Sequence, residues 1–378
     1  MADKKIPASL YKSLIEKQKK GMLKKLSVNF PKIDFCSNDY LGFSRSGFLT
    51  EKLKGSHFES SQYGASGSRV VTGNTQFIIE AEKQIAMFHH AESALIFNSG
   101  YIANIGLLSC VAQKEDLVLF DELVHDSMMD GIKLGEGKHY RFRHNDLKSL
   151  KESIQKQQSS FRNIFIVVES VYSLDGDLAP LLEISEMIKE MDDVFLIVDE
   201  AHAIGVFGTQ GRGLCNALGI ENKCFARIYT YGKAMGCQGG VIVGSEILRN
   251  YLVNFSRPFI YTTALPNQCI DAILHAYQLL IETDQKDLLQ NNIAYFYSKC
   301  SGIKNMIRSQ SAIHSLITGS DEAAERLQCE MEHRNIHVKI VKSPLVKEGN
   351  ERLRFSIHAY NTRHEIDLLL SAIKDFTK

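Results

Sequence analysis

Seven apolar runs of strand length, most of them separated by helix-like segments, constrain the fold of this chain more than any other feature. They lie between residues 94 and 245, and most of them are apolar on both faces. Strands of this kind, alternating with helices, are typical of a mainly parallel sheet that helices cover on both sides. The sequence therefore predicts an α/β fold with a seven-stranded sheet, built from ALIFNSG (94–100), DLVLFDE (116–122), HYRFRHND (139–146), NIFIVVES (163–170), VFLIVDEA (194–201), RIYTYG (227–232) and GGVIVGS (239–245).

The fifth run ends unlike a strand of a protein core. In FLIVDEAHAIGVFG (195–208), four apolar residues lead into Asp199, Glu200 and His202. Because an unpaired buried charge costs several kcal/mol, these side chains favour a ligand at the strand end, with Glu200 pointing off the opposite face. In open α/β sheets, ligands bind at the carboxyl ends of the strands. Polar residues also follow several of the other runs: Ser99, Asp121, Glu169, Ser173, Thr230 and Lys233.

Composition and charge narrow the classes of protein that this chain can represent. Its 378 residues carry 44 basic and 44 acidic side chains, so the net charge gives no reason to expect a nucleic-acid partner. The N-terminus lacks the apolar core of a signal peptide, and nowhere do about 18 apolar residues run together as a membrane span requires. The eight cysteines form no CxxC pair, so no metal site is expected. We expect a cytoplasmic protein that contacts neither membrane nor nucleic acid.

Changes in the pattern of apolar and polar residues divide the chain into three regions. We predict an N-terminal arm and helix in residues 1–45, a large domain with the seven runs in residues 46–285, and a smaller α+β domain in residues 286–378. A length of 378 residues suits one large and one smaller domain. A single long helix over residues 265–289 is expected to connect the two domains.

Lys233 follows the sixth run, among glycines that allow a ligand to approach closely. Neither GxxxxGKS nor GxxxxGKT occurs, and no GxGxxG follows a first strand, so ATP and dinucleotides are not favoured. A lysine alone is most often a surface charge, but here Asp199, His202 and Ser173 accompany it. A lysine, a carboxylate, a hydrogen-bond donor and a helix N-terminus are what an aldehyde cofactor with a ring nitrogen, a phenolic oxygen and a phosphate requires. The set predicts pyridoxal phosphate.

Longer motifs extend over nearly the whole chain. They are, in order, FCSNDYLGFS (35–44), YGASGSRVVTGN (63–74), NSGYIAN (98–104), DELVH (121–125), ESVYSLDGDLAPL (169–181), VDEAHAIGVFGTQGRG (198–213), TYGKAMG (230–236) and RPFIYTTALP (257–266). With these motifs the chain resembles the α-oxoamine synthases, pyridoxal-phosphate enzymes that condense an amino acid with an acyl thioester and release CO2. The resemblance implies the aspartate-aminotransferase-like architecture of fold type I. It also implies a homodimer whose active sites lie between the two subunits.

The resemblance implies how matching residues would hold the cofactor. Lys233 would bind it covalently, and Asp199 would pair with the ring nitrogen. Thr230 would bind the phosphate together with the amides of Gly100 and Tyr101, which begin the helix after FNSG.

The remaining positions around the cofactor follow from the same resemblance. His202 and Ser173 would hydrogen-bond the ring oxygen, and His125 would stack over the ring face. Glu169 would line the side of the cofactor ring that faces the substrate, and Thr262 would reach the cofactor phosphate of the neighbouring subunit. The catalytic set implied in this way is Lys233, His125, Asp199 and His202.

Substrate contacts are also implied by the resemblance. Arg354, in RLRFSIHAY, matches the arginine that grips the amino-acid carboxylate, a task that suits a bidentate guanidinium. Asn38, His125 and Leu345 would contact the substrates as well. His144 matches no role of the family and is interpreted as an ordinary histidine.

The branches of the family differ in their substrates. Ala201 and the motif FIYTTALP resemble the branch that joins L-alanine to a pimeloyl thioester, on CoA or a carrier protein, to give 8-amino-7-oxononanoate for biotin. Glycine with acetyl-CoA and serine with palmitoyl-CoA are the alternatives. Three positions depart from that branch, with Leu345 in place of a threonine, Ile78 in place of a histidine, and Lys19 or Lys20 in place of an arginine. Some relatives are non-catalytic subunits that have lost the cofactor lysine, and the presence of Lys233 favours an enzyme.

Overall fold

The computed structural model describes residues 6–24, 26, 33–54 and 63–377. Residues 1–32 and residues 33–378 form two compact units. In the first unit a helix begins after Pro7 and ends at Lys19, and its side chains are largely exposed. Gly21 follows with a φ of 64°, a conformation that favours glycine and lets the chain leave the helix.

Helices and strands alternate along most of the chain, as the sequence pattern predicts. The strands are β1 (Ile33–Asp34), β2 (Ser93–Phe97), β3 (Leu117–Asp121), β4 (Lys138–Phe142), β5 (Ile164–Glu169), β6 (Val194–Asp199), β7 (Ala226–Thr230), β8 (Gly240–Gly244), β9 (Met306–Ile307), β10 (Ile313–Ile317), β11 (Ile336–His337), β12 (Lys339–Val341) and β13 (Arg352–Ser356). The α-helices are α1 (Ala8–Lys19), α2 (Phe48–Lys54), α3 (Gln76–Phe88), α4 (Gly100–Leu108), α5 (Asp126–Leu134), α6 (Leu147–Gln157), α7 (Leu181–Ile188), α8 (Leu214–Ala217), α9 (Glu246–Phe255), α10 (Arg257–Ile260), α11 (Asn267–Glu282), α12 (Gln285–Lys299), α13 (Asp321–His333) and α14 (Arg363–Thr377).

All seven predicted runs form strands of one sheet in the second unit. The strand order is β2-β8-β7-β6-β5-β3-β4. Neighbours from β7 through β4 are parallel, and β8 is antiparallel to both β7 and β2. The predicted fold, with a mainly parallel seven-stranded sheet, is confirmed.

Alternate residues of the central strands enter different hydrophobic cores. Leu119 and Ile166 pack into the core that contains residues of α6 and α7. Their neighbours Phe120 and Val167 pack into the core that contains residues of α4, α5 and α9. Because helices cover both faces, the carboxyl edge of the strands is where polar side chains and a ligand can be accommodated.

The C-terminal part of the chain forms a second, antiparallel sheet with the order β12-β13-β10-β9. The single long helix expected over residues 265–289 is wrong in one respect, because α11 and α12 are separate helices. Thr283 lies between them with extended backbone angles, and its hydroxyl donates to Leu279 O at 2.7 Å. This side chain gives the backbone an alternative to a continuing helix. The domain boundaries at residues 45 and 285 stay predictions.

The segment after β1 is fixed to the smaller sheet. β1 pairs in parallel with β11, and the amide of Ser356 donates to Phe35 O at 2.8 Å. The amide of Ala359 donates to Tyr40 O at 2.8 Å. The turn that carries Asn38 and Tyr40 is therefore held beside the end of β13. Within the part of the chain that the structure describes, no helix is long and apolar enough to cross a membrane.

Candidate active site

Residues from several strand ends and two helix starts surround one cavity of about 110 Å³ at the carboxyl edge of the seven-stranded sheet. Seven of the side chains and amides predicted from sequence line it, so the structure brings most of the predicted cofactor site together. Asn104, Ser127, Ala201 and Ile228 complete the lining. The predicted residues in the cavity wall are Gly100, Tyr101, His125, Glu169, Asp199, Thr230 and Lys233.

Lys233 lies in the turn after β7, and its Nζ is 2.7 Å from His202 Nε2. Burial lowers the pKa of Lys233 to about 8, although the charge of Asp199 acts in the opposite direction. Burial and the Lys233 charge hold the pKa of His202 well below its ordinary value, so His202 is neutral. A lysine with such a pKa has a substantial fraction of nucleophilic free amine near neutral pH.

Asp199 is held by two donors at the end of β6. Its Oδ1 accepts from the Ala201 amide at 2.8 Å, and its Oδ2 accepts from Asn104 Nδ2 at 2.8 Å. Glu169 ends the neighbouring strand in register with Asp199. Burial, and then the charge of Asp199, raises the pKa of Glu169 well above its ordinary value. Glu169 therefore keeps its proton at neutral pH.

His125 caps the N-terminus of α5. The amide of Ser127 donates to His125 Nδ1 at 3.2 Å, and Ser127 Oγ lies 2.8 Å from the same nitrogen. Burial, and then the charge of Lys233, lowers the pKa of His125. Because Nδ1 accepts the amide hydrogen, the neutral ring carries its only proton on Nε2. That N–H is what His125 offers to a bound ligand.

The start of α4 has the features of an anion site. Ser99 caps this helix by accepting from the Ile102 amide at 3.2 Å, and the next two amides belong to Gly100 and Tyr101. A Cβ at Gly100 would lie 2.8 Å from the Thr230 side chain, so only glycine allows this close approach of helix and strand. Free amides at a helix N-terminus beside a hydroxyl are suited to phosphate.

Arg354 is a buried arginine on β13 that is 9% exposed. Its Nε donates to Ser173 O at 2.7 Å, its Nη1 to Ser356 Oγ at 3.3 Å, and its Nη2 to Asn38 Oδ1 at 3.1 Å. All three acceptors are neutral, and among residues 33–54 and 63–377 no carboxylate forms an ion pair with it. A guanidinium held in this way is suited to bind a substrate carboxylate.

Six predicted positions are not part of the cavity wall, and two of them, His202 and Arg354, adjoin the site through the hydrogen bonds given above. Ser173 contributes its backbone carbonyl to Arg354. Thr262 lies in the wall of a different, much smaller cavity beside Arg69. Leu345 is 62% exposed in the turn after Pro344. The roles assigned to Ser173, Thr262 and Leu345 stay predictions, as does the role of Asn38, which lies at the site through its bond to Arg354.

Three residues at the site were missed by the sequence reasoning. Asn104 and Ser127 are joined at 3.0 Å and connect the supports of Asp199 and His125. Tyr40 is buried, and its hydroxyl lies 2.7 Å from His202 Nδ1. Asn104 follows Gly100 by four residues and so shares its side of the helix, which was a usable signal. Tyr40 lies inside the motif FCSNDYLGFS, but nothing local indicates its partner.

Comparison with known proteins identifies the family of this chain. The family described as aminotransferase class I and II matches residues 31–373. The 8-amino-7-oxononanoate synthase of Emericella nidulans is 35% identical, and the match covers 97% of this chain and 94% of that protein.

Solved structures extend the comparison. Serine palmitoyltransferase from Sphingomonas wittichii superposes with a TM-score of 0.89 at 25% identity, covering 98% of each chain. For 8-amino-7-oxononanoate synthase from Francisella tularensis the TM-score is 0.76 at 30% identity, covering 91% of this chain and 97% of that one. Other solved structures of serine palmitoyltransferase (SPT) that match contain pyridoxal phosphate (PLP).

Proposed function

The chain belongs to the aminotransferase class I and II family and to its α-oxoamine synthases, and from that premise we propose that it condenses L-alanine with a pimeloyl thioester. The products are 8-amino-7-oxononanoate, CO2 and CoA or a carrier-protein thiol. The enzyme is thus a pyridoxal-phosphate-dependent acyltransferase of biotin biosynthesis. The observation that carries this proposal is the pairing of a half-buried Lys233 of lowered pKa with an Arg354 that has no carboxylate partner among the described residues.

The residues of the cavity fit pyridoxal phosphate. Glu169 Oε1 and Asn104 Oδ1 are buried and have no hydrogen-bond partner among the described residues, so the wall has polar atoms left for a ligand. Lys233 would hold the aldehyde carbon, and Asp199 the protonated ring nitrogen. Gly100 belongs to the phosphate site, together with the amide of Tyr101 and the Thr230 hydroxyl. When bound, this cofactor supplies an electron sink for a carbanion at the Cα of the amino acid.

The protein residues supply orientation and proton transfer. Arg354 holds the amino-acid carboxylate with its fork of donors, which fixes the rotation about the Cα bonds. Once the amino acid has taken its place on the aldehyde carbon, Lys233 Nζ would be a free amine that accepts the proton from Cα, because its lowered pKa makes it a base near neutral pH. His125 covers one side of the site and offers Nε2–H to the bound substrates. Glu169, held protonated by burial, is a second donor.

The choice of alanine and a pimeloyl thioester rests on the 8-amino-7-oxononanoate synthases, which are more similar in sequence than the serine palmitoyltransferases. The higher TM-score of the Sphingomonas wittichii serine palmitoyltransferase supports a second candidate, serine with a long acyl-CoA. The two candidates share every step at Lys233 and differ only in the substrates that the site accepts.

An assay that crosses amino acids with acyl donors tests the proposal. Purified enzyme is given alanine, glycine or serine with pimeloyl-CoA, pimeloyl-carrier protein, acetyl-CoA or palmitoyl-CoA, and thiol and CO2 release are measured. We expect kcat/KM for alanine with a pimeloyl donor to exceed every other pair by about tenfold or more. Faster turnover of serine with palmitoyl-CoA or of glycine with acetyl-CoA would exclude the biotin reaction and leave the condensation chemistry in place.

A homodimer is part of the proposal. Val71 and Tyr261, which are 76% and 73% exposed, lie on segments that the bond from the Ala264 amide to Gly67 O joins. Exposed apolar residues beside Thr262 support an interface that delivers this threonine to the neighbouring site. Sedimentation at assay concentration checks this, since a fully active monomer would contradict it. The cytoplasm remains the proposed location, which fractionation of cells tests.

A further inference from the structure

A chain of hydrogen bonds connects Lys233 to Arg354 through three buried or half-buried residues. Lys233 Nζ is 2.7 Å from His202 Nε2, and His202 Nδ1 is 2.7 Å from the Tyr40 hydroxyl. The Tyr40 hydroxyl is 3.2 Å from Asn38 Oδ1, which also accepts from Arg354 at 3.1 Å. The two outer members bear positive charge, and the three inner members are neutral.

The direction of each hydrogen bond follows from the donors that each group owns. A lysine ammonium has donors only, so His202 Nε2 must accept whenever Lys233 is charged. A neutral imidazole then has its proton on Nδ1 and donates it to the Tyr40 oxygen. Tyr40 in turn donates its single proton to Asn38 Oδ1. Burial raises the pKa of Tyr40 to about 12, so this hydroxyl stays protonated over the working pH range.

We propose that Tyr40 is a positioning residue that fixes the tautomer of His202 and thereby sets how readily Lys233 Nζ gives up its proton. The inference rests on the proposed function, in which Lys233 is the amine that captures pyridoxal phosphate. Without an acceptor at Nδ1, the His202 proton moves to Nε2. There it faces the Lys233 ammonium and disfavours it, so the lysine loses its proton at lower pH.

Other charged groups also act on Lys233. The carboxylate of Asp199 favours its ammonium, as does Glu169 where the pH is high enough to ionise it, and Arg354 disfavours it. His125 is close enough that the Lys233 charge lowers its pKa. Of these groups, Arg354 also hydrogen-bonds the Tyr40 hydroxyl, whose other hydrogen-bond neighbours are His202 and Asn38. Removing that hydroxyl therefore changes the tautomer of His202 and leaves the charges around Lys233 in place.

The test is the pH dependence of cofactor capture by full-length protein freed of pyridoxal phosphate. The rate at which the visible absorbance of the protein-bound cofactor appears after mixing with pyridoxal phosphate is measured from pH 6 to pH 10. The pH at the midpoint of this rate profile reports the deprotonation of the Lys233 amine. In Tyr40→Phe we expect the midpoint to fall by about half to one pH unit, because His202 no longer accepts from the ammonium.

Tyr277→Phe is the matched control. It removes a buried tyrosine hydroxyl that lies 2.8 Å from His89 Nε2 and outside the cavity wall, and it should leave the midpoint unchanged. Asn38→Ala is a second variant, since Tyr40 can then donate only to His202 Nδ1. It should shift the midpoint in the same direction, and it decides the matter if Tyr40→Phe does not fold.

The outcomes separate this inference from the proposed function. If the unmodified protein captures no pyridoxal phosphate, the proposed function itself fails. If it captures the cofactor and Tyr40→Phe keeps the midpoint of Tyr277→Phe, the role of Tyr40 is refuted and the function stands. A slower capture with an unchanged midpoint also refutes it, since a merely structural role gives that result.

Discussion

Two buried histidines, one at each sheet, show how differently the same side chain can be accommodated. At the seven-stranded sheet, His202 has a partner 2.7 Å from each ring nitrogen. In the four-stranded sheet, His314 on β10 lies between Phe296 and Phe355, and neither of its nitrogens has a partner among the described residues. Burial lowers the pKa of His314 to about 3 and that of His202 well below its ordinary value.

The difference between His202 and His314 shows where a buried polar side chain can serve a function. Both rings are neutral because burial disfavours their charged form. Of the two, only His202 is connected to groups that can exchange protons, and one of these, Lys233, lines the cavity. A buried imidazole without hydrogen-bond partners lowers stability and supports no chemistry. A buried imidazole with partners can contribute to stability and can also take part in proton transfer. The comparison therefore separates a catalytic edge from a structural core, and variants on either side test it.

The largest effect is expected at the catalytic edge, for Lys233→Ala. Without this amine the protein should form no covalent link to pyridoxal phosphate, and turnover should fall by at least about three orders of magnitude. Absorbance spectra and mass spectrometry after borohydride reduction measure the link. Lys223→Ala, at a partly exposed lysine paired with Glu186, is the control. A reduced adduct found on another lysine would overturn the assignment.

Arg354→Lys tests whether Arg354, which lies on the smaller sheet, binds the amino-acid substrate. A lysine retains the charge but loses the fork that binds a carboxylate at two points. We expect KM for the amino acid to rise by about tenfold, with a smaller change in KM for the acyl donor. Arg352→Lys is the matched control, two residues away and paired with Asp175. Equal changes in both KM values would show that Arg354 supports the structure and does not bind the amino acid.

His144 gives the catalytic edge a pH-dependent contribution to stability. Burial alone would lower its pKa, but hydrogen bonds to Asp121 at 2.9 Å and Asp177 at 2.7 Å raise the pKa to about 10. A folded pKa above the unfolded value means that the stabilisation is complete below about pH 6.5. It is lost as the pH rises towards 10. His144 is thus an ion-paired histidine, which its sequence context did not indicate.

His144→Gln isolates this contribution. The free energy of unfolding of the unmodified protein should exceed that of the variant by a few kcal/mol at pH 6.5, and this difference should shrink as the pH approaches 10. Chemical denaturation at several pH values measures it. The exposed His364→Gln serves as control, and its difference should show no such trend. A difference for His144→Gln that is constant with pH would refute the ion-paired assignment.

The smallest effect is expected in the structural core. His314→Leu replaces an unpartnered imidazole by an apolar side chain of similar size, and it should raise the free energy of unfolding by about 1 kcal/mol. Turnover should not change. Denaturation midpoints and steady-state kinetics check both statements. A loss of stability would mean that the His314 ring contributes through its stacking on Phe355. A loss of activity would contradict the conclusion that this core has no part in catalysis.

Periodicity and motif position sufficed for the large sheet and for most of its edge. All seven runs are strands, and six of them are largely buried, which favours apolar residues on both faces, whereas the edge strand β4 is largely exposed. Lys233, Asp199 and Glu169 fall at strand ends that the sequence pattern already marks. Asn104 could have been found from its helical spacing to Gly100. The break at Thr283 was missed, since apolar residues at helical spacing continue on both sides of the polar stretch ETDQKD (282–287).

The sequence by itself determined which residues end each strand, and hence the class of fold and the cofactor chemistry, because side-chain patterning along a strand or helix is a local property. Only the tertiary structure decided which distant residues meet. Asn38 contacts Arg354 across 316 positions of sequence, and Tyr40 contacts His202 across 162. The pKa of Lys233 and the different states of His202, His314 and His144 likewise depend on burial and on partners from remote segments. Desolvation and hydrogen bonding act between neighbours in space, which no local pattern specifies.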